Sequence, residues 1–229
     1  MKYKMLRQLK VIIYILLPLI GWGWVGVSCS DSDDEDSTDE YANWQQRNEA
    51  FFNTMEDSLR SNPNAWKKIK SFTKDATSAG NVTDYIYAHV LTEGSSTVSP
   101  MYTDTVRISY RGRLIPTASY PEGYVFDQTY TGSFSWQTTS VSDASVSGFV
   151  DGFTTALLYM HIGDRWRIYI PQQLGYKTST GGNGVIPAYS TLTFDLALID
   201  IATSDHQLPK WNAWQPLTAE DNPVILFLP

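Results

Sequence analysis

The sequence predicts an α+β fold in which one antiparallel β-sheet packs against a single helix. Five segments have the alternating, β-branched and aromatic pattern of strands: residues 84–95, 104–115, 123–130, 164–171 and 190–201. Between them, only residues 151–164 have a helical pattern, with an acidic start and Gly163 as the predicted C-terminal cap. A helix laid across the sheet is the simplest arrangement that buries the apolar sides of both.

The first 28 residues have the three-part pattern of a secretory signal peptide. Four basic residues precede an apolar run that starts at Val11 and ends in small residues before Cys29. A signal-anchor helix is the alternative, but the run is short for a membrane span and is interrupted by Pro18. The sequence therefore predicts that residues 1–28 are removed.

Cys29 is the single cysteine of the chain, which excludes an intramolecular disulfide. The sequence Gly-Val-Ser-Cys at residues 26–29 resembles a bacterial lipobox, with glycine where leucine is usual, and predicts lipid attachment to Cys29. Residues 29–40 form an acidic run that predicts an extended tether and resembles the export signal of surface-displayed lipoproteins. A calcium site is the alternative, but the spacing of an EF-hand loop is missing. We therefore expect an exported protein that is lipid-anchored to the bacterial outer membrane.

Residues 41–83 are predicted to form a helical extension followed by a polar linker. Apolar residues from Trp44 to Leu59 recur at three- and four-residue spacing, which predicts an amphipathic helix. Pro63 separates this helix from a second, short helix that is predicted around Trp66 and Ile69. We interpret the pair as a helical hairpin packed on the main domain, and a dimerisation arm or a partner-binding helix is the alternative.

The last segment of the chain, residues 202–229, is predicted to be a tail. It contains Trp211 and Trp214 and ends in an apolar run from Val224 to Pro229. Because an apolar free end of this kind promotes aggregation, we expect the tail to fold back onto the domain.

Charge and motif content exclude several familiar kinds of chemistry. The chain has 24 acidic and 17 basic residues, so nothing indicates a nucleic-acid partner. The three histidines are scattered without carboxylates at ligand spacing, so no metal site and no cofactor are predicted. No G-x-S-x-G elbow occurs, and the glycine cluster at residues 181–184 lacks the G-K-[ST] ending of a phosphate-binding loop. An apolar site remains.

Several motifs occur in an order that resembles the FKBP-type peptidyl-prolyl isomerases. They are Tyr110-x-Gly112, Phe126-Asp127, the helix at residues 151–164, Gly163-Asp164 before a strand, and Val185-Ile186-Pro187. The resemblance covers residues 84–201. It implies a twisted antiparallel half-barrel that wraps around one helix, with a proline-accepting pocket between them and the N-terminal helical extension outside the family pattern.

The resemblance also implies which residues line that pocket. The implied catalytic residues are Tyr110, Phe126, Asp127, Phe153, Tyr176, Ile186 and Phe194. The implied substrate-binding residues are Phe134 (or Trp136), Phe149, Val150 and Val185. In this scheme Phe153 is the floor, Ile186 donates its backbone N–H to a substrate carbonyl, and the Tyr176 hydroxyl holds another. Many family members have tryptophan at the position of Phe153, and the loop after Asp127 is short here.

The implied activity is cis-trans isomerisation of X-Pro bonds, which assists the folding of exported and envelope proteins. Rotation passes through a twisted amide and breaks no bond, and an apolar pocket favours the less polar twisted state. Proline-containing segments of folding proteins are the implied substrates, and macrolides are an implied ligand class. The alternative is a non-catalytic peptide-binding or chaperone module on a surface lipoprotein.

Overall fold

The structure is a computed structural model that describes residues 39–203 and 206–209. The predicted signal peptide, Cys29 and most of the acidic tether lie outside the described residues, as does most of the predicted C-terminal tail. The expectations for these segments therefore stay predictions.

In the described residues, seven antiparallel strands form one open sheet. They are β1 (Trp66–Lys70), β2 (Tyr85–Thr92), β3 (Thr105–Arg113), β4 (Val125–Gln128), β5 (Ser142–Ser145), β6 (Arg165–Ile170) and β7 (Leu192–Ala202). The order is β1-β2-β6-β7-β3, and β4 and β5 share the far edge of β3. The five predicted strands correspond to β2, β3, β4, β6 and β7, and the α+β prediction is confirmed.

The second predicted helix is wrong, because its residues form strand β1. Trp66 lies opposite His89 in the antiparallel register of β1 and β2. The Trp66 ring stacks on the rings of His89 and Tyr169, with centroid distances of 4.9 and 5.5 Å. A short segment with two apolar residues fits either structure, and pairing with a distant strand decides between them. Strand β5 was missed because its four residues, SDAS, lack an apolar pattern.

Helix α2 (Asp151–Tyr159) packs in the concave face of the sheet, within a core that includes Ile108, Ile168 and Leu196. A Cβ atom on Gly152 would lie 2.3 Å from Ile170 Cγ2, so glycine permits the close contact between α2 and β6. The helix ends before the predicted position. Met160 is already extended, and Gly163 is not the cap but donates its N–H to the Leu198 carbonyl of β7.

Helix α1 (Trp44–Ser61) packs on the opposite face of the sheet. Phe52 and Met55 contact Tyr87, whose neighbours in β2 face the α2 core. Glu56 accepts hydrogen bonds from the Tyr87 hydroxyl and from Lys68, which joins α1 to both β2 and β1. In the described part of the chain, neither helix is both long and apolar enough to cross a membrane.

Candidate active site

A cavity of about 620 Å³ opens between the concave sheet, the start of α2 and the loop before β7. This volume is typical of small-molecule sites. The cavity is lined by Tyr110, Phe126, Asp127, Gly148, Phe149, Val150, Phe153, Tyr176, Gly182, Asn183, Ile186, Leu192 and Phe194. The structure therefore brings together nine of the eleven residues predicted for the pocket.

Phe153 closes the bottom of the cavity. It lies in the first turn of α2 and is only 2% exposed. Its ring packs edge to face against Tyr110 and Phe194, at 6.0 and 4.9 Å between centroids, and its centroid lies 4.4 Å from that of Phe149 at an interplanar angle of 30°. Such aromatic packing fixes the ring positions and keeps the lower part of the cavity apolar.

The side walls depend on a glycine. Gly112 in β3 lies beneath the rings of Phe126 and Phe194, which themselves pack edge to face at 5.4 Å. A Cβ atom on Gly112 would lie 2.6 Å from both rings, closer than van der Waals contact allows. Glycine at this position therefore sets the width of the cavity.

Gly112→Ala is expected to narrow the cavity by displacing the Phe126 and Phe194 rings. We expect kcat/KM on a prolyl peptide to fall about tenfold, which corresponds to about 1.4 kcal/mol. The conformation of residue 112 is an ordinary strand conformation, so the loss comes from crowding and not from the backbone. Isomerisation kinetics check this, with Leu157→Ala as the control because Leu157 is buried in the core but does not line the cavity. Equal losses in the two variants would contradict it.

Tyr110 and Asp127 form the polar edge of the cavity. The Tyr110 hydroxyl donates to Asp127 Oδ2 at 2.7 Å. Burial, followed by this hydrogen bond, raises the pKa of Tyr110 above its ordinary value, so the hydroxyl stays neutral and keeps donating. Among the described residues no basic side chain forms an ion pair with Asp127. Arg111 instead donates to the carbonyls of Tyr130 and Gly132 and holds the loop after β4.

The flap, residues 175–187, covers one side of the cavity. Gly181 and Ile186 exchange two backbone hydrogen bonds: Gly181 N–H donates to Ile186 O at 2.9 Å and Ile186 N–H donates to Gly181 O at 3.1 Å. The predicted role of the Ile186 N–H as a donor to substrate is therefore wrong, because this group is already used inside the flap. The side chain of Ile186 still lines the cavity.

Val150 offers a backbone donor that Ile186 does not. It is the residue immediately before α2, and it lines the cavity. Its N–H donates to no acceptor among the described residues. Tyr176, 37% exposed on the flap, likewise has no hydrogen-bond partner for its hydroxyl within the described part of the chain. These two groups are the free donors of the predicted set.

Phe134 and Val185 do not line the cavity. The Phe134 ring packs against Trp136, and the guanidinium of Arg165 lies 4.4 Å from its centroid. Arg165 alternates with the core residue Trp166, so Phe134 lies on the convex side of the sheet. Val185 is 42% exposed on the flap and is absent from the cavity lining.

Four lining residues were missed by the sequence analysis: Gly148, Gly182, Asn183 and Leu192. Leu192 could have been found, because it lies two residues before Phe194 and shares its face of β7. Gly182 and Asn183 belong to the glycine cluster, whose folding over the cavity has no local signal. No group of three or more potential metal ligands is found in residues 39–203 and 206–209.

Comparison with known proteins agrees with this geometry. Residues 96–199 match the family model of the FKBP-type peptidyl-prolyl cis-trans isomerases. The macrophage infectivity potentiator of Trypanosoma cruzi is 37% identical over 111 residues, which cover 48% of this chain and 50% of that protein. The FKBP-type 22 kDa peptidyl-prolyl cis-trans isomerase of Escherichia coli K12 is 33% identical over 112 residues, which cover 49% and 48%. The chain thus spans about half the length of the curated relatives it matches.

A solved structure supports the same conclusion. The crystal structure of FkpA from Escherichia coli superposes with a TM-score of 0.50 at 25% identity, covering 71% of this chain and 63% of that one. The fold and the cavity define a protein with an apolar ligand site between a half-barrel and its helix. Residues 96–199 resemble an FKBP-type domain in sequence and in fold, and the resemblance found in the sequence is confirmed.

Proposed function

We propose that this chain is a peptidyl-prolyl cis-trans isomerase that acts on proline-containing segments of folding proteins. The observation that carries the proposal is the aromatic cavity closed by Phe153, at the position where FKBP-type domains are expected to accept proline. A cavity with this lining suits a pyrrolidine ring, which is apolar and compact.

The chemistry requires no nucleophile and no proton transfer. The uncatalysed rotation has a barrier of about 20 kcal/mol and takes roughly 10–100 s. A planar amide carries more charge separation than a twisted one, so transfer into an apolar, water-poor cavity costs the planar state more. Each 1.4 kcal/mol of this difference accelerates rotation about tenfold.

The walls and the free donors have separate roles in this proposal. Phe153 supports the proline ring from below, while Tyr110 and Phe194 confine it laterally. The backbone N–H of Val150 and the hydroxyl of Tyr176 donate to carbonyl groups of the substrate. Asp127 orients the Tyr110 hydroxyl through their 2.7 Å hydrogen bond.

The test is a protease-free isomerisation assay of the full chain on a peptide with one X-Pro bond. We expect the approach to cis-trans equilibrium to be accelerated in proportion to protein concentration. A macrolide that occupies the same cavity is expected to inhibit the reaction competitively. A rate equal to that in buffer, measured on protein whose circular dichroism shows an intact fold, would refute the proposed isomerase activity.

The rate of isomerisation is expected to be independent of pH between about pH 6 and pH 9. No proton moves in the reaction, and the Tyr110 hydroxyl stays protonated there because its pKa is raised. The raised pKa means that the folded protein favours the neutral form of Tyr110. Its hydroxyl therefore begins to ionise only above the ordinary pKa of about 10. Measurement of kcat/KM across this range checks it. A bell-shaped profile would indicate acid-base catalysis instead.

We also propose that the protein is an exported lipoprotein of the bacterial outer membrane. The supporting observations are the basic and apolar leader, the lipobox-like residues before Cys29, and the acidic run that follows. Cys29→Ala is expected to abolish incorporation of a labelled fatty acid and to release the protein from the membrane fraction. Unchanged labelling of the variant would contradict lipid attachment at Cys29.

A further inference from the structure

Helix α1 is tied by buried hydrogen bonds to residues 187–191, the segment that joins the flap to β7. The segment is flanked by cavity residues on both sides, with Ile186 before it and Leu192 after it. We propose that Trp44 and Asn48 of α1 are positioning residues for the candidate active site. They act on the cavity through Ser190 and Thr191. The catalytic part of this inference rests on the isomerase activity proposed above.

The first connection is a relay of two hydrogen bonds. The indole Nε1–H of Trp44 donates to Ser190 Oγ at 2.9 Å, and Ser190 Oγ donates to the Pro187 carbonyl at 2.7 Å. Trp44 and Ser190 are 7% and 3% exposed, so the first bond is shielded from water, and the second bond is partly buried. Because Pro187 directly follows Ile186, the relay fixes the backbone at the edge of the cavity.

The second connection runs through the side chain of Asn48, which is 1% exposed. Its Oδ1 accepts from the Thr191 N–H at 2.7 Å, and its Nδ2 donates to the Trp44 carbonyl at 2.7 Å. Thr191 Oγ1 also donates to the Asn48 carbonyl at 3.3 Å. Asparagine is a poor residue for a helix interior, so helix formation does not account for it there. Its contact with Thr191 does.

Apart from Trp44, which is buried in the main core, the apolar anchor of α1 lies on later turns of the helix. Phe52 and Met55 pack on Tyr87, and Glu56 accepts a hydrogen bond from the hydroxyl of Tyr87. These contacts attach the helix to β2 and do not involve residues 187–191. Trp44 contributes to both attachment and positioning because it is also buried in the main core, whereas Asn48 and Met55 allow the two roles to be tested separately.

Residues 187–191 also contact the first part of the flap, around Tyr176 and Lys177. Tyr189 N–H donates to the Lys177 carbonyl at 2.8 Å, next to Tyr176. Tyr189 and Lys177 both have left-handed backbones, with φ of 63° and 60°. Non-glycine residues keep such conformations only where the surrounding structure holds them. The relays from α1 supply that support, so their loss is expected to loosen Tyr176 and Ile186 together.

The first experiment is a double-mutant cycle with Trp44→Phe and Ser190→Ala in the full chain. Each variant is expected to raise the hydrogen-exchange rate of the Gly181 and Ile186 amides about tenfold and to lower kcat/KM about tenfold. Trp44→Phe removes the first bond of the relay and Ser190→Ala removes both bonds, so the double variant is expected to lose no more than Ser190→Ala alone. Fully additive effects of the two substitutions on kcat/KM and on exchange would refute the proposal that Trp44 and Ser190 act through one relay.

Matched controls separate positioning from general stability. Asn48→Ala is expected to raise exchange in the flap, whereas Gln46→Ala, an exposed amide on the same helix, leaves it unchanged. Alanine is the better helix former, so the helix itself is not weakened. Met55→Ala is expected to lower the melting temperature while flap exchange and kcat/KM stay within about twofold. Flap exchange that rises equally in Met55→Ala and Asn48→Ala would show a purely structural role.

The two readouts also separate this inference from the proposed function. If the wild-type chain does not accelerate isomerisation, the proposed function fails, and exchange at Gly181 and Ile186 still decides whether α1 braces the flap. If the wild type is active and Ser190→Ala changes neither exchange nor kcat/KM, the brace is refuted while the isomerase stands.

Discussion

Phe153→Ala is expected to lower kcat/KM about a hundredfold, which corresponds to about 2.7 kcal/mol of transition-state stabilisation. The substitution removes the ring that contacts Tyr110, Phe149 and Phe194 and opens the bottom of the cavity. Water can then enter, and the apolar environment that favours the twisted amide is lost. Isomerisation kinetics at saturating and limiting peptide concentrations measure the effect.

The same substitution also costs stability, about 3–5 kcal/mol for a buried phenylalanine. Leu157→Ala is therefore the control. Leu157 is fully buried on the same helix, but it does not line the cavity. We expect it to lose comparable stability while kcat/KM of the folded protein stays within about threefold. Full activity of folded Phe153→Ala would refute the role of Phe153 as the floor of the cavity. An equal loss of kcat/KM in both variants would assign the effect to stability alone.

Asp195→Asn is expected to destabilise the protein by about 3 kcal/mol. Asp195 lies in β7 with 5% of its side chain exposed, and it accepts from Arg167 Nε at 2.6 Å and from Arg113 Nη1 at 3.2 Å. Asparagine keeps the shape and removes the charge, so two arginines that were paired on the sheet are left without their shared carboxylate. Urea denaturation at neutral pH measures the loss. Asp57→Asn, in an exposed pair with Arg60, is the control and should cost less than about 1 kcal/mol.

The effect of Asp195 is expected to depend on pH. Burial alone raises the pKa of this carboxyl, but the hydrogen bond and charge of Arg167, together with the charge of Arg113, outweigh burial and lower the pKa. A lowered pKa in the folded protein stabilises above the ordinary value of about 4, and this contribution is lost as the pH falls through the lowered pKa. The difference between wild type and Asp195→Asn should therefore shrink below about pH 4. A constant difference down to pH 2 would contradict the ion-pair explanation.

Local patterns were sufficient for most of the domain. Alternation identified five strands, and the separate motifs placed Tyr110, Phe126 and Phe153 at one pocket. The strand predictions succeed because the apolar side of a strand repeats with a fixed period, which can be read from neighbouring residues. The period alone marks the cavity walls as buried, and only the resemblance to the FKBP-type family implied that they line a pocket.

Other features depended on partners that are far away in the sequence. Trp66 belongs to a strand because β2 lies beside it, and Phe134 lies on the convex face because Arg165 is there. The Ile186 N–H is unavailable to substrate because the flap turns back to Gly181. No local pattern records such contacts, since the same residues could satisfy their polar groups in several ways.

Helix α1 shows most clearly the difference between what local sequence patterns determine and what distant contacts decide. The sequence alone determined that residues from Trp44 to Leu59 form an amphipathic helix, because its apolar stripe has the helical period. It left open whether that helix packs on the domain or extends to a partner. The tertiary structure decided, through a hydrogen bond between Trp44 and Ser190, which are 146 residues apart. The physical reason is that period determines which face of a helix is buried, whereas the surface that buries it depends on the path of the whole chain.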